Sequence, residues 1–497
     1  MGYMNGDRLK FLKLNVDIPF PAMYRRFSLF CFVFLQLCCF SKTNDAQQVI
    51  NSTALKQDFD ILRKTLEEAH PGLYWYTDSV VMDKFFDSTK LLLNRDMTEM
   101  EFFKFLLPVI ANIKCGHTNL KPSHNEAAFQ FTRILPFDLF CQGEKLYIRK
   151  DFTNKGYEGV EVLAINNIET KKIIQTLLNS IPSDGYNQTF KYNLLTKGAF
   201  REGYALYYGQ PEKFTIQAID NTKSKSYTFT VTAISQKEIS TVKTNPPPPF
   251  DLRFQQNIAI LSINTFEMNT RQFSDSISSI FRKIKEKNSQ HLIMDLRENG
   301  GGRNDNVSLL YSFIAVRPFR HLKSAEMKTG SLTYTYFITN ASSTNNSTVN
   351  KSENKFRLVN DRYAGTQTKS PAVDNGFKGN IILLTSGTTC SAASEFVAIA
   401  HFQKRVEIVG EETGGCYYGA TGGNYLNLKL PNSGLEVTIP TIRILTAVDE
   451  DFSRQPKGRG TIPDYQISLN LKDIISLKDR QLDKAVETFK NYNYSQH

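Results

Sequence analysis

Between residues 250 and 470 the chain alternates short, almost wholly apolar runs with stretches of helical periodicity. No other feature limits the possible folds as strongly. Asn257 to Phe266 reads as a buried strand, and Phe273, Ile277, Ile280, Phe281 and Ile284 then recur at the spacing of a one-sided helix. Leu292 to Leu296 is the next strand and empties into glycines, while Ile381 to Leu384 runs through a turn into another helix. Strands that are apolar on both faces and separated by helices imply an α/β fold with a largely parallel sheet, covered on both sides. Pro246 to Pro249 form a stiff, extended boundary upstream of this region. The Ser/Thr/Asn-rich stretch 339–355 reads as a mobile surface insertion.

The upstream chain has a different pattern. Residues 49–114 read as helices, with Phe59, Leu62 and Leu66 on one face and Pro71-Gly72 stopping the first helix. A second helix is expected over Val81 to Leu93. A third begins at Thr98, with Glu101 three residues on as a capping box requires. From about Ala127 to Ser235 the pattern shifts to short strands, among them LYIRK, VEVLAIN, KFTIQAI and SYTFTVTAI. Gly159 to Asn167 followed by a helix over Lys171 to Ile181 resembles the closing half of a PDZ domain. At 497 residues the chain exceeds one compact core. The expected division is an N-terminal extension and leader (1–46), a helical region (47–124), a PDZ-like β domain (125–245) and an α/β core (246–497).

The formal charge of +11 is no nucleic-acid signature. Residues 1–46 hold six Lys/Arg against three Asp/Glu, and the rest of the excess is spread over a large surface without a dense basic run. From Met23 the chain has the pattern of an export signal. Arg25 and Arg26 precede an apolar run from Phe27 to Phe40, and Asn44-Asp45-Ala46 offers a cleavage point. The run is short for a bilayer span and polar sequence follows at once, so no stable membrane span is expected after its removal. Cys38 and Cys39 are candidates for a lipid anchor, although Leu35-Gln36-Leu37-Cys38 is a poor lipobox. The expected location is therefore outside the cytoplasm: periplasmic, cell-surface or secreted. Cys115, Cys141, Cys390 and Cys416 remain beyond the leader. Their spacing matches no zinc site, and any disulfide pairing among them is left open.

Three separated segments carry candidate chemistry. In IILLTSGTTCSAASEF a strand turns into a helix at Ser391, which can present its hydroxyl at the mouth of the sheet. The Ala392 amide at the helix N-terminus is then able to hold a developing oxyanion. The alternative is that Ser391 only caps the helix. In MDLRENGGG three glycines after a strand let backbone amides approach a ligand, although they also suit a flexible turn. No Gly-Lys-Ser/Thr follows, so a phosphate loop is excluded. In Cys115-Gly116-His117-Thr118 the imidazole of His117 is a candidate base for a serine nucleophile, though a lone histidine is more often structural.

DLRENGGG, TTCSAASEF, IVGEETGG (Ile408 to Gly415) and GRGTIPDYQI (Gly458 to Ile467) occur in the order and spacing of the S41 peptidases, which the chain resembles over most of residues 55–470. The resemblance implies a crotonase/ClpP-like α/β core with a PDZ-like domain and an N-terminal helical region. It further implies Ser391 as nucleophile, with oxyanion-hole amides from Ala392 and from Gly301 or Gly300. Processing-protease members of the family use a lysine base. Here that position is Cys416, which excludes a Ser/Lys dyad. Tricorn-like members use a histidine on the N-terminal side, and this points to His117.

The same branch places an acid in the loop before the Pro-Asp motif, here Val448 to Asp451, with Asp449 the expected partner of the histidine. These residues otherwise form a solvated charge run. The implied reaction is acyl transfer on a protein or peptide substrate, and it calls for no metal or cofactor. Two rivals are a non-catalytic ligand- or peptide-binding protein on the same fold, and an esterase using the same residues.

Overall fold

The computed structural model describes residues 49–494 except 124–130, 222–223, 241–245, 329, 341–355, 359–362, 364–365, 367–368 and 375. The expected leader and most of the 339–355 insertion lie outside these residues. The alternating segment forms a six-stranded sheet. Its order is Phe250–Gln255, Ile258–Ile263, His291–Asp295, Asn380–Thr385, Glu407–Gly410 and Tyr465–Gln466. The first pair is antiparallel and every other pair parallel. One face is covered by the helices Thr270–Glu286, Asn304–Ser312 and Ala392–Phe402. The apolar stripe read in the sequence points inward, with Phe273 and Ile277 fully buried against Phe266 and Phe396. Each such phenylalanine contributes roughly 1.5–3 kcal/mol by leaving water. The other face is closed by Ala485 and Phe489 of the C-terminal helix Arg480–Tyr494.

A second sheet stands beside the first. It is built on Leu322–Lys328, Glu436–Thr446 and Gly419–Lys429, and Asn119–Lys121 pairs with its middle strand. The N-terminal helices Ser52–Ala69, Ser79–Leu91 and Glu99–Asn112 share their core with this sheet, where Leu66, Phe102 and Leu106 meet Leu426, Leu428, Val437 and Ile439. The third of these helices starts on the capping box of Thr98 and Glu101. The shared core and the pairing of Thr438 with Asn119 fix the chain two residues after His117.

Residues 137–232 form an antiparallel sheet with its own core, ordered Phe137–Gln142, Lys145–Asp151, Glu161–Ile165, Lys213–Asp220 and Lys225–Thr232. The helix Thr170–Ser180 packs on it. A helical run over 189–208, unexpected from the sequence, bends at Gly198, whose φ is 121°. The connection between these helices is clasped by the rest of the molecule. Gly185 N–H donates to Lys114 O (2.9 Å), Tyr186 N–H donates to Gly458 O (2.7 Å), and Asn187 Nδ2 donates to Thr413 O (2.7 Å).

Candidate active site

Ser391 sits at the sharp turn between the strand Asn380–Thr385 and the helix Ala392–Phe402. Its φ of 52° and ψ of −129° are strained for a residue with a side chain, and such strain persists where the surroundings enforce it. The side chain makes no capping bond, although Ser391 occupies the N-cap position. The hydroxyl points elsewhere, and His117 Nε2 lies 3.3 Å from Ser391 Oγ across 274 residues of sequence.

The glycine turn supplies closeness. Gly301 has a φ of 105°, and a Cβ there would stand 2.7 Å from Ser391 Cβ and 2.9 Å from Cys390 O. The amide expected from Gly301 is already engaged, because it donates to Asn299 Oδ1 at 2.9 Å. Asn299 is fully buried and is itself fixed by Ile263 O, which accepts from its Nδ2 at 3.1 Å. Gly301 is therefore corrected from oxyanion donor to steric element. Ala392 opens its helix, so its N–H has no intrahelical acceptor, and Gly300 faces open space. The Ala392 N–H is thereby left able to hold an oxyanion.

The acid beside the histidine also differs from expectation. Asp449 and Glu450 are exposed, and Asp449 acts on Tyr417. Asp184, delivered by the clasped 181–188 connection, is buried next to His117 instead. Its Oδ1 accepts from Gly116 N–H at 2.7 Å. Burial pushes the Asp184 carboxyl above its usual range, against the opposing pull of His117 and the Gly116 amide. His117 Nδ1 is buried without a hydrogen-bond partner. No local pattern marks Asp184 in Pro182-Ser183-Asp184-Gly185, since its place beside His117 exists only through contacts with residues nearly seventy positions away.

His70 holds the neighbouring residue. Gly72 N–H donates to its Nδ1 (3.0 Å), so its Nε2 carries the hydrogen and donates to Thr118 Oγ1 (2.9 Å). Burial depresses His70 to about 3, so the ring is neutral. Cys416, where the resemblance to processing proteases would put a lysine base, is a buried thiol pushed well up by desolvation and is no base. The four cysteines are free. Among the described residues Cys115, His117 and Asp184 bring one potential ligand atom each to within 4.8 Å of one another.

A strained serine at a strand-to-helix turn, with an imidazole within reach and helix amides beside it, defines a serine-type hydrolase site. Residues 257–467 match the model of peptidase family S41, and over that region the chain is similar to the serine-type peptidases of that family. The solved structure of mature CPAF with lactacystin is similar in fold, with a TM-score of 0.59 at 13% identity, covering 88% of this chain and 97% of that one. Mature CPAF alone gives a TM-score of 0.57 at 14% identity, covering 86% and 95%. At these identities the likeness is one of fold.

Proposed function

We propose that the protein is an exported endopeptidase that cleaves protein or peptide substrates through a Ser391–His117 acyl-enzyme mechanism, with Asp184 orienting the histidine. The observation that carries this reading is the 3.3 Å separation of His117 Nε2 and Ser391 Oγ. Ser391 Oγ attacks the scissile carbonyl while Nε2 takes its proton, and the Ala392 amide, with that of Gly300, holds the oxyanion. The imidazolium then protonates the leaving amine. Water, deprotonated by the same nitrogen, releases the acyl group. With Nε2 as acceptor, Nδ1 must carry the ring hydrogen, and the Asp184 carboxylate is the buried acid close enough to favour that tautomer and the charge that follows.

Export rests on the signal pattern from Met23 to Ala46. No helix among the described residues is long and apolar enough to cross a membrane. The sheet of residues 137–232 is the part we read as PDZ-like, and it packs its 181–188 connection against the site. The test is labelling of the purified protein with a fluorophosphonate probe, with mass spectrometry to locate the adduct. Labelling at Ser391 that is sharply slowed in His117→Ala supports the dyad. Well-folded protein that does not label would overturn it.

A further inference from the structure

The cluster behind the dyad has a composition that catalysis does not require. Cys115 is nearly fully buried, and its Sγ lies 2.8 Å from Thr421 Oγ1. Asp184 is held by the Gly116 amide, and His117 Nδ1 is a buried ring nitrogen with no partner. Thiol, imidazole and carboxylate atoms fall within 4.8 Å of one another. In a tetrahedral zinc site, with bonds of about 2.0–2.3 Å, ligand atoms stand roughly 3.3–3.8 Å apart. A contraction of about 1 Å closes the gap, within reach of side-chain rotation.

We propose that Cys115, His117 Nδ1 and Asp184 form an inhibitory site for a borderline-soft divalent cation of the zinc type. The donor set selects the class of ion. One thiolate, one imidazole and one carboxylate suit zinc, whereas calcium and magnesium require oxygen-rich shells. Thr421 and the Gly116 amide already support the sulfur and the carboxylate from behind, as outer groups do in built metal sites.

Inhibition follows from the two-sided chemistry of imidazole and rests on the Ser391–His117 reading above. A neutral imidazole coordinated through Nδ1 carries its hydrogen on Nε2. That nitrogen faces Ser391 and then has no lone pair to accept the serine proton. The ion also takes the Asp184 carboxylate away from the ring. The metal-bound and active states are therefore mutually exclusive, and the ion need not touch Ser391.

Binding is tested on the Ser391→Ala protein, so that it does not depend on turnover. Titration with Zn2+ by calorimetry is expected to give one site. Co2+ in its place is expected to give a thiolate-to-cobalt charge-transfer band in the near ultraviolet. Adding Cys115→Ser removes the band and weakens zinc binding at least tenfold, and Asp184→Asn weakens it comparably. Circular dichroism of the metal-free variants establishes that they are folded. In protein retaining Ser391, stoichiometric Zn2+ suppresses fluorophosphonate labelling and EDTA restores it. The proposal is overturned by an absence of one-site binding, by binding indifferent to both substitutions, or by undiminished labelling of zinc-loaded protein. If metal-free protein never labels, the catalytic reading fails, while the calorimetry and cobalt band still decide the metal site.

Discussion

Gly301 and Ser391 approach so closely that a methyl group on the glycine would stand 2.7 Å from the serine Cβ. The glycine also has a φ of 105°, which side chains rarely adopt. Gly301→Ala is therefore expected to destabilise the protein by about 1–3 kcal/mol. It should also lower kcat/KM by roughly 100-fold, through displacement of Ser391 from His117. Gly300→Ala meets nothing within 4 Å and should stay within about 0.5 kcal/mol of the parent. Urea denaturation and peptide hydrolysis of the two variants decide whether closeness or mere flexibility is required.

Asp184→Asn separates the two candidate acids. If the buried carboxylate orients His117, kcat falls by about 10²–10⁴ with little change in KM. Asp449→Asn, at an exposed position, should leave kcat within twofold of the parent. Equal and small effects of both substitutions would remove Asp184 from the mechanism.

Glu395 links stability to pH. It is buried one turn into the helix Ala392–Phe402, accepts from Asn304 Nδ2 at 2.5 Å, and is pushed up to about 7 by burial from an ordinary 4.5. Between those values the native state keeps a proton that the unfolded chain has released. Stability therefore falls as pH rises from 4.5 to 7, by about 3 kcal/mol from this group alone. Glu395→Gln should flatten that slope and melt at a higher temperature than the parent at pH 8. Thermal melts from pH 4.5 to 8 measure it, and an unchanged slope would refute the assignment.

Arg297, part of the DLREN run, has a structural task. Its guanidinium donates to Asp295 and to Asp479 and Gln481, and so ties the end of a catalytic-sheet strand to the start of the C-terminal helix. Arg297→Met leaves two carboxylates without their partner and should lower stability by about 3–5 kcal/mol. Denaturation midpoints, with protease susceptibility of residues 480–494, check the loss and its place.

Elements whose cause is local are legible in the chain alone. The stripe from Phe273 to Ile284 is a helix face because those residues repeat at helical spacing. The strands Ile258–Ile263, His291–Asp295 and Asn380–Thr385 are runs that only a doubly covered sheet buries. Thr98 and Glu101 cap a helix through bonds three residues apart. Ser391 was legible because a strand, a turn and a helix start lie within ten residues.

Features that depend on distant segments meeting arise only in the folded chain. The engagement of the Gly301 amide follows from how Asn299 is held by Ile263 O, 36 residues away. The placing of Asp184, rather than Asp449, beside His117 follows from a loop clasped by Lys114 and Gly458, for which sequence periodicity offers no reading. Periodicity reports which face of an element is buried, but a carboxylate beside an imidazole depends on where two loops are anchored. That anchoring is set by long-range hydrogen bonds with no local signature.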